Sequence, residues 1–166
     1  MKYTTMLSSI ALMTTLLLSC SKDIPVGSQN DVLGEVTVTS VEDPITAERT
    51  LNIINEYRAE NGLSALQQHS IISKEASDHT DYMIYRDEVS HDYFYEREAY
   101  LKEKLAAVEV AENVAYAYNS AEAVLNAWLK SSEHKNNLEG GFTHYGISVK
   151  KNAQGRLFYT SIFVKQ

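Results

Sequence analysis

Two hydrophobic periods run along the chain, one helical through its middle and one strand-like at its end. Asp43-Pro44 is a helix start, an N-cap followed by proline at the first helical position. Leu51, Ile54 and Tyr57 then fall on one helix face, with Ile53 beside it, and Asn61-Gly62 closes the element. A second helix is expected from about Ser70 to Tyr85, with Ile72, Ala76, His79 and Met83 on one face. The polar and aromatic stretch that follows predicts a helix in its second half only. Asn119-Ser120-Ala121-Glu122 has the form of a capping box, with Asn119 as the cap and Glu122 reaching back to it. The helix it opens carries a stripe of Ala121, Val124, Leu125, Trp128 and Leu129. Two alternating runs, 145–151 and 156–164, are joined by Asn152-Ala153-Gln154-Gly155, the pattern of a hairpin. Helices first and a hairpin last, with little βαβ alternation, predict an α+β domain in which an antiparallel sheet packs against helices.

The first residues do not belong to this pattern. "MKYTTMLSSIALMTTLLLSC" has one early lysine, an apolar stretch with Ser and Thr, and small residues at its end, the signature of a secretory signal. The stretch is too short and too hydroxylated for a transmembrane helix. Leu17-Leu18-Ser19-Cys20 resembles a bacterial lipobox. On that reading residues 1–19 are removed, and Cys20 becomes the mature N-terminus and carries acyl chains that dissolve in a membrane leaflet. The alternative is an ordinary signal cleaved nearby, with Cys20 incidental. Cys20 is the only cysteine, so no internal disulfide can form. Residues 20–43 are polar, hold Pro25, Gly27 and Gly34 and lack a helical stripe, and are expected to be a tether. Val36, Val38 and Val41 have the spacing of a short edge strand, too little to assign one. The folded domain is expected over residues 44–166. The chain is therefore expected to be exported and held on the cell envelope by a lipid anchor.

Charge narrows the partners. The net charge of −7 argues against nucleic acid, whose phosphates need a basic face. No basic run would hold an anionic membrane surface.

The candidate chemistry centres on Val110–Tyr118, "VAENVAYAY", where an acid and an amide interrupt an apolar run. A buried charge is costly unless it is paired or hydrogen-bonded, so Glu112 needs partners. As a strand, the stretch puts Val110, Glu112, Val114, Tyr116 and Tyr118 on one side, and Ala111, Asn113, Ala115 and Ala117 on the other. Five histidines are available. His91 follows the second helix. His134 follows the Trp128 helix, whose last carbonyls would favour a cationic imidazole. His79 is expected to hydrogen-bond locally on its helix face, and His69 and His144 to lie at the surface. No H-E-x-x-H, C-x-x-C, phosphate loop or G-x-S-x-G occurs, so any site must be assembled from distant segments. Tyr82, Tyr85, Tyr93, Tyr95, Tyr100, Tyr116 and Tyr118, with Phe94, crowd into 82–118. They suit either a ligand-facing wall or core and boundary positions of helices.

Taken in order, seven segments resemble the CAP superfamily, the SCP-like domain of cysteine-rich secretory proteins, antigen 5 and plant pathogenesis-related proteins, in its short bacterial form. They are "IINEYRAENGLSAL" (53–66), "ASDHTDYM" (76–83), "SHDYF" (90–94), "AENVAYAY" (111–118), "AEAVLNAWLKSSEHKNNL" (121–138), "HYGISV" (144–149) and "FYTSIFV" (158–164). The resemblance implies a three-layer α-β-α sandwich with the antiparallel sheet between helices. It implies a cleft of two histidines and two acids that in some members binds zinc or another divalent ion. His91 matches the first histidine, Glu112 the acid of the Gly-Glu-Asn motif, and His134 resembles the second histidine. Ala111 replaces the usual glycine, Ser132-Glu133 replaces Pro-Gly, and the second acid would fall at Ser131, which cannot act as a carboxylate.

Two chemistries follow for His91, Glu112 and His134. They can bind a divalent metal such as zinc with neutral imidazoles and an open water position. Without metal they can hold one another by hydrogen bonds, with Asn113 bracing the loop or orienting Glu112. Three functions stay open: a binding module for a small hydrophobic, glycan or protein ligand; a metal-dependent hydrolase of peptide or cell-wall material with Glu112 as general base; and a structural domain with a stabilising histidine network. The binding module is favoured.

Overall fold

The computed structural model describes residues 39–166. The signal segment, Cys20 and most of the expected tether lie outside them. Helix α1 (Pro44–Glu60) starts as its sequence predicts, with the Asp43 carboxylate accepting from the Thr46 amide at 3.0 Å. Gly62, at φ +70°, lets the chain turn away after Asn61. Helix α2 (Ser70–Arg86) is capped by His69, whose ring nitrogen accepts from the Ile71 amide. Helix α3 (Phe94–Leu105) fills the second half of the polar segment. Helix α4 (Ala121–Lys130) is capped by Ser120, which accepts from Ala123, and not by Asn119. The serine is one residue nearer the first turn and reaches its amide from extended backbone.

The strands are β1 (Val41–Glu42), β2 (Gln67–Gln68), β3 (Glu109–Tyr116), β4 (His144–Lys151) and β5 (Leu157–Lys165). Their order is β1-β4-β5-β3, with β2 also on β4; every pair is antiparallel except β2 with β4. The domain therefore begins before residue 44: Val41 and Glu42 pair with Lys151 and Lys150, so the last residues of the expected tether are built into the sheet. The long strand β3 forms the opposite edge.

Strand alternation sorts side chains into two layers. Ala115, Tyr145, Ile147, Val149, Tyr159 and Phe163 face α1 and α4, and pack with Ile53, Ile54, Val124 and Trp128. Val110, Val114, Phe158, Ile162 and Val164 face α2 and α3, and pack with Ile72, Ala76, Met83 and Leu101. The result is helices on both sides of one sheet, the expected α-β-α sandwich. Gly146 sets the approach of α2, because a Cβ there would collide with the backbone of Ile72 and Ser73.

A fifth helix was not legible in the sequence. Ser132–Glu139 forms α5, directly after α4, and places His134 in a helical first turn instead of a loop. Arg58, 1 % exposed, ties α5 down: its guanidinium donates to the carbonyls of Ser64, Leu138, Gly140 and Phe142.

Candidate functional site

Glu112 and Asn113 sit mid-strand on β3 and point to opposite layers. Each is buried and each is answered, but by different elements. Asn113 faces α5: its amide donates to the His134 carbonyl at 3.1 Å and its oxygen accepts from Asn137 at 2.8 Å. The Asn137 amide also reaches the Glu112 carbonyl, and the Trp128 indole donates to the Val114 carbonyl. Side chains of α4 and α5 thus satisfy backbone oxygens of β3 that would otherwise be buried unpaired.

Glu112 faces α2 and α3. Its principal partner is Arg97, which the sequence reading missed. Arg97 Nε donates to Oε2 and Nη2 to Oε1, both at 2.9 Å, a bidentate fork. Arg97 Nη1 donates to the Asp92 carbonyl, fixing the guanidinium from the other side. His91 Nδ1 donates to Glu112 Oε1 at 2.8 Å. His79 lies 3.8 Å from the same oxygen and donates its Nε2 hydrogen to the Ser90 carbonyl, 2.8 Å away. That bond holds the loop that carries His91. Burial alone would raise the Glu112 carboxyl, but His91 and Arg97 outweigh it and hold it below the usual carboxylate range. Burial pushes the His79 imidazole down, so it is neutral.

His134 makes no side-chain contact with Glu112. Its imidazole is pushed below its ordinary value by burial and then by His91, the reverse of the cationic group expected at a helix end. The placement in α5 acts in the same direction: His134 stands near a helix N-terminus, which disfavours positive charge. His91 and His134 therefore stand close enough to sense each other, while only His91 touches the acid. Ser131 links α4 and α5 and its hydroxyl makes no cap bond.

Two hollows succeed one another along β3. One, about 350 Å³, is lined mainly by Val89, Tyr116, Tyr118, Trp128, Ser131 and His134. The other, about 300 Å³, is lined by His91, Phe94, Val110, Ala111, Glu112 and Asn137. Of the predicted site residues, Ser131 and His134 line the first hollow and His91 and Glu112 the second, both against β3, while Asn113 is fully buried and lines neither. The alternation expected through Tyr118 stops at Tyr116, because Ala117 takes φ +62° and turns the chain. The tyrosines divide. Tyr116 and Tyr118 line the groove, Tyr82 stacks on His79, and Tyr85, Tyr93 and Tyr95 are exposed.

These donors do not form a metal shell as they are placed. Both oxygens of Glu112 are engaged by a cation, and no group of three His, Cys, Asp or Glu side chains among the described residues is arranged to hold an ion. What the arrangement offers is a half-exposed imidazole, oriented by a buried carboxylate through Nδ1, with Nε2 free of protein partners among the described residues. Two signals for this were present in the sequence. His79 shares the apolar face of α2 with Ile72, Ala76 and Met83. Arg97 shares a face of α3 with Phe94 and Leu101, where a charge needs a buried partner.

Comparisons with known proteins bear on the fold and the family. A curated relative, an uncharacterised membrane protein of Bacillus subtilis named YlbC, is 29 % identical over 122 residues, 70 % of this chain and 33 % of its own length. The chain thus spans about a third of that relative. Among solved structures, an outer surface protein from Borrelia burgdorferi is 19 % identical, with a TM-score of 0.70 over 78 % of this chain and 98 % of that one. An extracellular SCP-domain protein from Bacillus anthracis is 24 % identical, with a TM-score of 0.65 over 75 % of this chain and 41 % of that one. At these identities the structures establish the fold alone. No helix among the described residues is long and apolar enough to cross a membrane. The model of the cysteine-rich secretory protein family, CAP, matches residues 51–163, about two thirds of the chain, and the chain belongs to that family.

Proposed function

We propose that this is an exported CAP-domain binding module, anchored to the cell envelope through acylated Cys20, whose ligand lies along the β3 groove. The observation that carries the reading is the groove itself. Apolar and aromatic walls from Val89, Phe94, Tyr116, Tyr118 and Trp128 alternate with His91, Asn137, Ser131 and His134. Such a surface suits an extended ligand with apolar faces and hydrogen-bonding edges, as glycan strands and peptides of the envelope have. Glu112 serves the ligand indirectly, by fixing the His91 ring so that Nε2 faces the groove. The anchor rests on the lipobox-like Leu17–Cys20 and on the surface or membrane descriptions of the relatives.

Titration of the protein with glycan and peptidoglycan fragments tests the ligand class. Binding that weakens at least tenfold in His91→Ala and Tyr118→Ala supports it, a loss of about 1.4 kcal/mol. Binding that both variants leave untouched contradicts it. Acyl labelling in cells tests the anchor: Cys20→Ala abolishes incorporation.

A second reading is favoured by the His91–Glu112 pair, which has the form of a base oriented by an acid. A hydrolase working through His91 turns over a peptide or muropeptide library and loses that turnover in both His91→Ala and Glu112→Gln. No turnover in the wild type excludes it for those substrates.

A further inference from the structure

We infer that Arg97 is the built-in cation of the β3 groove: its guanidinium occupies the face of Glu112 where a divalent ion would bind, and makes the site independent of metal. The inference rests on the groove as the functional site. Its readouts are metal content and folding, not ligand capture, so either idea can fail alone.

The chemistry is one of occupancy. A carboxylate has two oxygens, and Arg97 takes one with Nε and the other with Nη2, while His91 Nδ1 shares Oε1. Both partners are buried, with Glu112 1 % and Arg97 9 % exposed at their side chains. The guanidinium has no freedom to swing aside, because Nη1 is held by the Asp92 carbonyl at 2.7 Å. A divalent ion on Glu112 would have to displace a buried cation or stand beside it in a medium of low dielectric.

The imidazole nitrogens nearest Glu112 are also protonated and cannot share an ion with it. Metal binding needs a bare ring nitrogen aimed at the ion. His91 spends its Nδ1 hydrogen on the carboxylate, which leaves a bare Nε2 only on the far side of the ring from Glu112, and His79 spends its Nε2 hydrogen on the Ser90 carbonyl. Ser131, which lines one hollow with His134, and Asn137, which lines the other with His91 and Glu112, supply no second anionic ligand. Arginine suits this role better than lysine, since its planar fork matches both oxygens and keeps its charge when buried. The same logic gives the groove a fixed electrostatic state: the acid stays ionised, His91 stays oriented, and chelators have nothing to remove.

The test uses the full chain. Wild type and His91→Ala are incubated with zinc or cobalt(II), and the metal retained per chain is measured along with melting temperature in chelator and in zinc. The expected result is no stoichiometric metal and the same melting temperature in both solutions. One metal per chain in wild type, lost in His91→Ala, overturns the proposal. The second arm compares Arg97→Met with Arg97→Met/Glu112→Gln. The single variant melts well below wild type or fails to fold, and the double variant recovers most of the loss because no buried charge is left unpaired. A double variant no more stable than the single one overturns the counter-ion role, whether or not the single variant folds.

Discussion

Arg58 and Glu112 are both ionised and almost fully buried, on opposite layers of the sheet, and they are satisfied in opposite ways. Arg58 is answered by carbonyl dipoles of four residues, and none of these partners is a side-chain group. Glu112 is answered by side chains, and one of them, His91, is half-exposed with a nitrogen to spare. A charge neutralised by backbone fixes loops. A charge neutralised by side chains that themselves line a hollow can set the state of a site. Arg58 is therefore a clamp that closes the α1 and α5 turns, and Glu112 a buried reference that aims an exposed imidazole.

The largest effect expected from breaking this contrast is at Arg97. Removing its charge leaves Glu112 uncompensated, and Arg97→Met loses about 3–5 kcal/mol of stability in urea unfolding. Adding Glu112→Gln recovers most of it. Arg58→Met loses about 3 kcal/mol, because buried carbonyls lose a charged donor. No second substitution of a carboxylate rescues it, since its partners are backbone oxygens. Asn137→Ala frees the Asn113 side chain and the Glu112 carbonyl, and costs about 1–3 kcal/mol in the same measurement. His91→Ala, at a half-exposed position, changes stability by less than about 1 kcal/mol while weakening ligand capture.

Acid separates the two regions further. The neutral forms of His79 and His134 are favoured by folding, so the unfolded chain takes up protons first as pH falls below about 6.5. Stability is full above that value and declines beneath it. Glu112, held low by His91 and Arg97 against burial, adds a loss only below about 4.5, as pH falls toward its own lowered value. The urea midpoint of wild type should fall in two stages, and His79→Gln should flatten the upper one. Arg58 has no titration in this range and its clamp does not respond.

How much of this could be read from the sequence depended on pattern strength. Helix α1 was legible because Asp43-Pro44 and Asn61-Gly62 bracket a stripe, and the hairpin because Asn152–Gly155 separates two alternating runs. Helix α5 was not, since Leu138 is its only buried residue and its other positions are polar. Its ties to β3 are the side-chain amides of Asn113 and Asn137, which have no periodicity. Glu112 and His91 were paired correctly across 21 residues. Arg97 was passed over because it sits among glutamates, "YEREAY", where it looks like a surface ion pair. Only the fold turns that face of α3 onto β3. His134 was assigned to the cleft and does line the groove, but it meets Asn113 through its backbone carbonyl and Glu112 not at all.

The central claim is that a ligand lies in the groove along β3. The most direct measurement is a map of backbone and imidazole NMR shifts as envelope glycan and peptide fragments are added to the isotope-labelled protein. The predicted result is perturbation running along Val110–Tyr118 and at His91, Ser131, His134 and Asn137, with the amides around Arg58 unmoved. Perturbation confined to the α1–α4 surface around Arg49, Tyr57 and Glu122, with β3 and His91 silent, would contradict it.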